Sequence, residues 1–160
     1  MLMTLHPILP EEYDLRFAII KDAIFEHVDA VFGWDDDFQQ QRLNEEYDPT
    51  WFHWIYHEEQ RVGLFCFKPY DDSYHVHFLV ILPNFQDQGL GRNTMDYLHQ
   101  LAQAELRKSI TLSSFSRNEK ALAFYKRLGY EITHVEKDFY SLTRYFSDQN
   151  PNKTWATHYS

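Results

Sequence analysis

One stretch limits the folds open to this chain more than any other. It is Leu82-Pro83-Asn84-Phe85-Gln86-Asp87-Gln88-Gly89-Leu90-Gly91-Arg92, where an apolar strand runs into a glycine-bearing turn and on into a helix. Ahead of it, His75 to Leu82 alternates and then becomes almost wholly apolar (Phe78, Leu79, Val80, Ile81, Leu82), the pattern of a central strand covered on both faces. Behind it, Leu90, Thr94, Leu98, Leu101 and Ala102 recur at helical spacing, with polar Asn93, Asp96, Gln100 and Gln103 between them. Gly89 and Gly91 let the backbone approach a bulky group, and the helix they open presents unpaired amides with a partial positive charge. Such a turn is an anion seat, and it suits a pyrophosphate.

The rest of the chain reads as elements placed around that turn. Thr4 to Leu9 is a short strand closed by Pro10, and Glu11-Glu12 start a helix carrying Tyr13, Phe17, Ile20, Ile24, Val28 and Val31 at steps of three or four, up to Gly33. Trp34-Asp35-Asp36-Asp37 leads into a second helix over Phe38 to Glu46, ended by Pro49. Phe52 to His57, Arg61 to Phe67 and Tyr74 to Leu82 form a three-strand meander. The helix from Gly89 to about Arg107 leads to a fifth strand at Ile110 to Phe115, a right-handed parallel crossover. A helix over Asn118 to Leu128, capped at Gly129, precedes a last hairpin of Tyr130 to Val135 and Phe139 to Phe146. The order βααβββαβαββ makes one mixed α/β (α+β) domain over 1–146, a mostly antiparallel sheet of about seven strands with four helices. A polar tail with Trp155 follows over 147–160.

Two glycines alone do not name a ligand: a dinucleotide fingerprint needs a third, and a P-loop needs a Gly-Lys-Ser/Thr ending. Gln86-x-x-Gly89-x-Gly91 after a Pro83-ended apolar strand does resemble the acetyl-CoA signature of the GNAT N-acetyltransferase superfamily. A second stretch, Asn118-Glu119-Lys120-Ala121-Leu122-Ala123-Phe124-Tyr125-Lys126-Arg127-Leu128-Gly129-Tyr130, resembles the same family's asparagine, alanine, aromatic-tyrosine and glycine-aromatic segment. The two occur in the family's order and at a family-like separation. The resemblance implies a sheet whose fourth and fifth strands splay apart to admit acetyl-CoA. Carried over residue by residue, it gives the pyrophosphate to Gln86, Asp87, Gln88, Gly89, Leu90, Gly91 and Arg92, chiefly through the amides from Gln88 to Arg92 and the Arg92 charge. The pantetheine arm goes to the main chain of Val80 and Leu82 and to Asn118, and the neighbourhood of the sulfur to Tyr125. Asp87 and Gln88 stand where the family commonly has basic or glycine residues, so the Asp87 side chain is expected to point away.

His75 and His77, two apart on a strand, project to the same face. An imidazole with a reference pKa of about 6.5 suits removal of a proton from an ammonium group, directly or through water. His75-Val76-His77 also resembles the paired histidines of aralkylamine N-acetyltransferases, and His77, deeper in the apolar run, is favoured as the base. The alternatives are a hydrogen-bonded or surface histidine pair beside Tyr74 and a metal pair; no third ligand follows in a convincing pattern, so no metal is expected. Tyr125, a phenol with a reference pKa near ~10, can protonate a departing thiolate, or it can be a core aromatic. The oxyanion is expected at the Leu82 amide.

The acceptor pocket is expected from the N-terminal half, where Glu26, Trp34 and Asp35 offer carboxylates and an aromatic face to an amine. The alternative is that Asp35, Asp36 and Asp37 only cap the second helix. A net charge of -9 opposes attraction to nucleic acid or anionic membrane. The start lacks a signal-peptide pattern and no transmembrane-length apolar run occurs, so the expected compartment is the cytoplasm. Cys66, the single cysteine, reads as a buried structural thiol without a basic partner. The function implied is acetyl-CoA-dependent N-acetylation of a primary amine by direct attack in a ternary complex. The alternatives are a non-catalytic acyl-CoA sensor or, among enzymes, an acetyltransferase for protein N-termini or lysines; a homodimer is left open.

Overall fold

The computed structural model describes residues 3–146; the tail expected over 147–160, Trp155 included, lies outside the described residues. The elements are β1 (Met3–Pro7), α1 (Tyr13–Phe32), α2 (Asp36–Glu46), β2 (Phe52–His57), β3 (Gln60–Tyr70), β4 (Ser73–Ile81), α3 (Leu90–Ala104), β5 (Ser109–Phe115), α4 (Glu119–Arg127), β6 (Glu131–Val135) and β7 (Phe139–Tyr145). This is the anticipated order. Single 3-10 turns at Pro10–Glu12, Pro49–Trp51 and Pro83–Phe85 each begin on a proline, whose fixed φ suits a first helical position and whose missing amide is no loss there. Seven strands are hydrogen-bonded in the order β1-β2-β3-β4-β5-β7-β6. β4 and β5 pair in parallel, and β1–β2, β2–β3, β5–β7 and β6–β7 are antiparallel.

Internal contacts divide the chain into two units, Met1–Phe67 with His77–Thr94, and Lys68–Val76 with Met95–Ser160. In the first, Ile8, Ile20, Leu43, Tyr47, Phe52, Trp54, Leu64 and Cys66 form the core, and Tyr13, Phe17 and Ile24 of the α1 stripe pack against it. Glu12 fastens the start of α1: its carboxylate accepts from the Leu9 amide at 3.0 Å, from Trp54 Nε1 at 3.0 Å and from Arg61 at 2.7 Å. Those bonds, the backbone one foremost, hold its pKa below the ordinary glutamate value. The β2–β3 hairpin turns on Glu58 and Glu59, both in the left-handed region at φ 52° and 69°, as a two-residue turn requires. Gly63, opposite Ile55 in the β2–β3 ladder, marks a close backbone approach: a Cβ there would collide with the Val80 carbonyl oxygen and lie 3.3 Å from Ile55 Cδ1.

In the second unit the β4–β5 ladder runs from Ser73↔Ser109 to Val76↔Leu112, and β5 pairs with β7 along its whole length. Leu98, Ile110 and Leu142 are fully buried. β3, expected to stop at Phe67, continues through Pro69 to Tyr70, and α3 is shorter at both ends than the expected Gly89 to Arg107. Its end is a left-handed cap on Leu106 (φ 61°), with the Arg107 amide bonded back to the Ala102 carbonyl at 2.8 Å. Leucine holds that conformation because Arg107 is anchored beyond it. The guanidinium bonds Glu105 at 2.8 Å and the Ser73 carbonyl at 3.0 Å, and lies 4.1 Å over the Tyr74 ring.

A buried imidazole lies under β7. His99, 5% exposed, accepts at Nδ1 from Arg144 at 2.7 Å and is bonded at Nε2 to the Tyr130 hydroxyl at 2.9 Å. Burial and the Arg144 charge push its pKa down to about 4, against a smaller opposing pull from Asp96.

Two outcomes are expected. Gly63→Ala has to displace β4, so urea denaturation is expected to show a loss of about 2 kcal/mol, within the usual range for overpacking. His99 is neutral when folded and takes up a proton on unfolding below about pH 6.5. The unfolded chain therefore binds more protons between that pH and the folded value of about 4, and stability falls as pH falls across that window. The full effect is about 3 kcal/mol, and His99→Gln is expected to flatten that part of the stability-pH curve.

Candidate functional site

The turn after β4 is built from local bonds. Leu82 donates its amide to the Val62 carbonyl at 2.8 Å and accepts from the Phe85 amide at 2.9 Å, which closes the Pro83–Phe85 turn. Gln86 reaches back and donates from Nε2 to the Ile81 carbonyl at 2.9 Å. The chain then passes Asp87 (φ 63°) and Gly89 (φ 79°), both left-handed, before α3 begins. A Cβ on Gly89 would meet nothing within 4 Å, so glycine is needed there for its conformation and the space above it is open. The Asn93 amide bonds the Gly89 carbonyl at 3.0 Å, which leaves the amides of Leu90, Gly91 and Arg92 ahead of the first intrahelical acceptor. Gln86, Asp87, Gln88, Gly89 and Arg92 are exposed. The donors and the open space fit an anionic group such as a pyrophosphate.

The same bonds correct one expectation. The Leu82 amide, expected to face the oxyanion, is committed to β3, and the Leu82 carbonyl is committed to the turn. The Val80 carbonyl lies against Gly63. Gln86, expected among the pyrophosphate residues, ties the end of β4 to the turn with its side chain.

His77 is half-buried in the first unit among rings that the sequence did not point to. Tyr47 stands edge-on to it at 4.9 Å and Trp51 stacks on it at 5.6 Å. Both come from the segment between α2 and β2, which the Asp48 cap and Pro49 fold into a tight turn. Burial raises the Tyr47 pKa, so the phenol beside His77 keeps its proton.

In the second unit, His75 pairs across the β4–β5 ladder, its Nδ1 2.8 Å from Thr111 Oγ1. Burial first, then Lys68, lowers its pKa, which favours the neutral imidazole. Asn118 caps α4, its Oδ1 accepting from the Ala121 amide at 3.1 Å, so Nδ2 is the end left to donate. Tyr125 lies seven residues on, two turns along the same helix face. Its ring packs edge-on against Phe124 at 5.0 Å and Tyr130 at 5.6 Å, and burial pushes its pKa up, which keeps the phenol a proton donor.

The residues expected to hold the acceptor have other partners. Asp35 caps α2 by accepting from the Phe38 amide at 3.0 Å. Trp34 donates from Nε1 to Asp36 at 2.6 Å, and the cation over its ring is the chain's own Lys21, 5.7 Å from the centroid and 2.8 Å from Asp36. Glu26 is exposed on α1. Cys66 is buried as expected, but it is within electrostatic reach of Arg16, so a basic partner does stand near it. Sequence reasoning passed over Gly63, Tyr47 and Arg16, and it favoured core over pocket for the Trp51-Phe52-His53-Trp54 cluster. The lone glycine inside a strand pattern was the available signal for Gly63, and a charge in the apolar stripe of α1 was the signal for Arg16. Among the described residues no cluster of three or more His, Cys, Asp or Glu could hold a metal ion, and no helix is long and apolar enough to cross a membrane.

The catalytic subunit naa20 of the N-terminal acetyltransferase B complex of Schizosaccharomyces pombe is 34% identical over 67 residues, 42% of this chain and 37% of that protein's length. The structure of the PaiA N-acetyltransferase of Thermoplasma acidophilum with coenzyme A superposes with a TM-score of 0.71 at 9% identity, covering 91% of this chain and all of that one. Arabidopsis thaliana Naa50 in complex with the bisubstrate analogue CoA-Ac-MVNAL superposes at 0.59 with 17% identity, covering 90% and 99%. Identities this low in the superposed structures establish a shared fold. The model of the Acetyltransferase (GNAT) family matches residues 18–130, more than half of the chain, and the protein belongs to that family.

Proposed function

We propose that the protein transfers the acetyl group of acetyl-CoA to a primary amine by direct attack in a ternary complex. The observation that carries this reading is the turn that opens α3: exposed, clear above Gly89, and rich in amide donors. In the first unit, the amides up to Arg92 and the Arg92 charge bind the pyrophosphate, and Gln86 holds the turn against β4. His77, set between Tyr47 and Trp51, takes the proton of the attacking amine, directly or through water. It is favoured over His75 by its place deeper in the apolar run of β4. In the second unit, the Asn118 Nδ2 group donates to the pantetheine arm. Tyr125 donates its proton to the sulfur as the carbon–sulfur bond breaks and the new carbon–nitrogen bond is completed. The phenol is then reprotonated from solvent.

Within this reading the acceptor amine belongs to a small molecule or to a peptide. The stretch shared with naa20 favours a peptide N-terminus, as does the peptide-bearing analogue bound by Naa50. A cytoplasmic location belongs to the same proposal. The rival reading, a sensor that binds acetyl-CoA without turnover, is favoured by the exposed Asp87 carboxylate in the turn, which repels phosphate.

The test is free-thiol release from acetyl-CoA with a panel of amines and short peptides, alongside calorimetry of acetyl-CoA binding. Tyr125→Phe is expected to lower kcat roughly a hundredfold, the low end for general acid catalysis, with acetyl-CoA affinity unchanged. Undiminished turnover would remove the acid role. Gln86→Glu puts a carboxylate against the Ile81 carbonyl and is expected to weaken acetyl-CoA binding roughly tenfold by loosening the turn. Tight binding with no turnover on any amine would support the sensor.

A further inference from the structure

The first unit buries a cation that the reaction above does not use. Arg16 lies on the inward stripe of α1, between Tyr13 and Ile20, and is 4% exposed. Its guanidinium sits 4.1 Å from the Tyr13 ring centroid and 4.5 Å from that of Phe52. Those rings attract the cation through their π-faces. The N–H groups on its rim are another matter: Nε is fully buried and has no acceptor. Among the described residues no hydrogen bond or ion pair reaches Arg16, and the nearby Glu12 carboxylate is taken by Arg61, Trp54 and the Leu9 amide. Its electrostatic neighbours are a phenol and a thiol, Tyr13 and Cys66, and burial pushes its pKa down.

A guanidinium stays charged in proteins, and a buried charge without a partner is a cost that packing does not recover. The aromatic contacts leave the buried Nε–H without an acceptor, and the group that matches the guanidinium fork is a carboxylate. Phe52 links Arg16 to the proposed chemistry. The same ring packs on Tyr47 at 5.8 Å, and Tyr47 touches His77.

We propose that Arg16 is the recognition site for a carboxylate carried by the acceptor, so that the preferred amine belongs to an amino acid or peptide bearing a negative charge. This rests on the transfer reaction proposed above. It replaces the acidic pocket for a cation expected at Glu26, Trp34 and Asp35 with a site of the opposite sign.

The test uses wild type, Arg16→Met and Arg16→Lys. In thermal denaturation, millimolar acetate or succinate is expected to raise the wild-type Tm by several degrees and leave Arg16→Met unmoved, while Arg16→Met alone is at least as stable as wild type because the unpaired charge is gone. Thiol release is then compared for amines matched except for a carboxylate, such as phenylalanine with phenethylamine. Wild type is expected to prefer the carboxylate-bearing member at least tenfold in kcat/KM, Arg16→Met to lose the preference and Arg16→Lys to keep part of it. A wild type that turns over both members equally, or an Arg16→Met protein that keeps the preference, would overturn the proposal. So would stabilisation by inorganic phosphate and not by carboxylates, or an Arg16→Met protein that is destabilised and still responds to carboxylates. If no amine is turned over, the transfer reaction has failed, and the response of the Tm to acetate or succinate still decides the role of Arg16.

Discussion

The bond from the Leu82 amide to the Val62 carbonyl holds the end of β4 and the turn that follows it. It fixes the end of a half-buried strand against β3 at the point where the chain turns through Pro83–Phe85 and enters the first turn of α3. The neighbouring constraints act on the same few residues. Gly63 lets the Val80 carbonyl in, and Gln86 ties the Ile81 carbonyl to the turn. A strand end held by three separate contacts has little freedom to shift, so the exposed amides of the turn are presented in a fixed place before any ligand arrives. That is the condition for inexpensive binding of a large anion.

Much of this was legible in the sequence because it rests on local chemistry. The apolar run before Pro83, the glycines after it, and the helical spacing of Leu90, Thr94 and Leu98 are short-range signals, and the elements fall where those signals place them. Gly129 past the end of α4, at φ 92°, is of the same kind. The boundaries that moved have tertiary causes. β3 runs on through Pro69, and α3 ends on a left-handed leucine because Arg107 is anchored to β4.

The site was legible only as far as the backbone that carries it. Which main-chain groups are free depends on pairing, and pairing committed the Leu82 amide that the sequence left available. The rings around His77 come from a segment thirty residues earlier, and nothing in its spacing announces a neighbour on β4. The acidic run after α1 shows the reverse problem. Its composition suggested a place for a cation, and the structure shows the chain filling that place with Lys21. Composition reports which charges exist, whereas only the fold reports which of them are already answered.

The Arg144–His99–Tyr130 chain has a sense of direction. An arginine can only donate, so Nδ1 of His99 must be the accepting nitrogen and the neutral ring carries its hydrogen on Nε2. The Tyr130 oxygen is thereby the receiver, and its own proton is turned away from the histidine. A buried imidazole that is ordinarily free to exchange tautomers has been reduced to a one-way relay of polarity, set from β7 and delivered to the tyrosine whose ring steadies Tyr125.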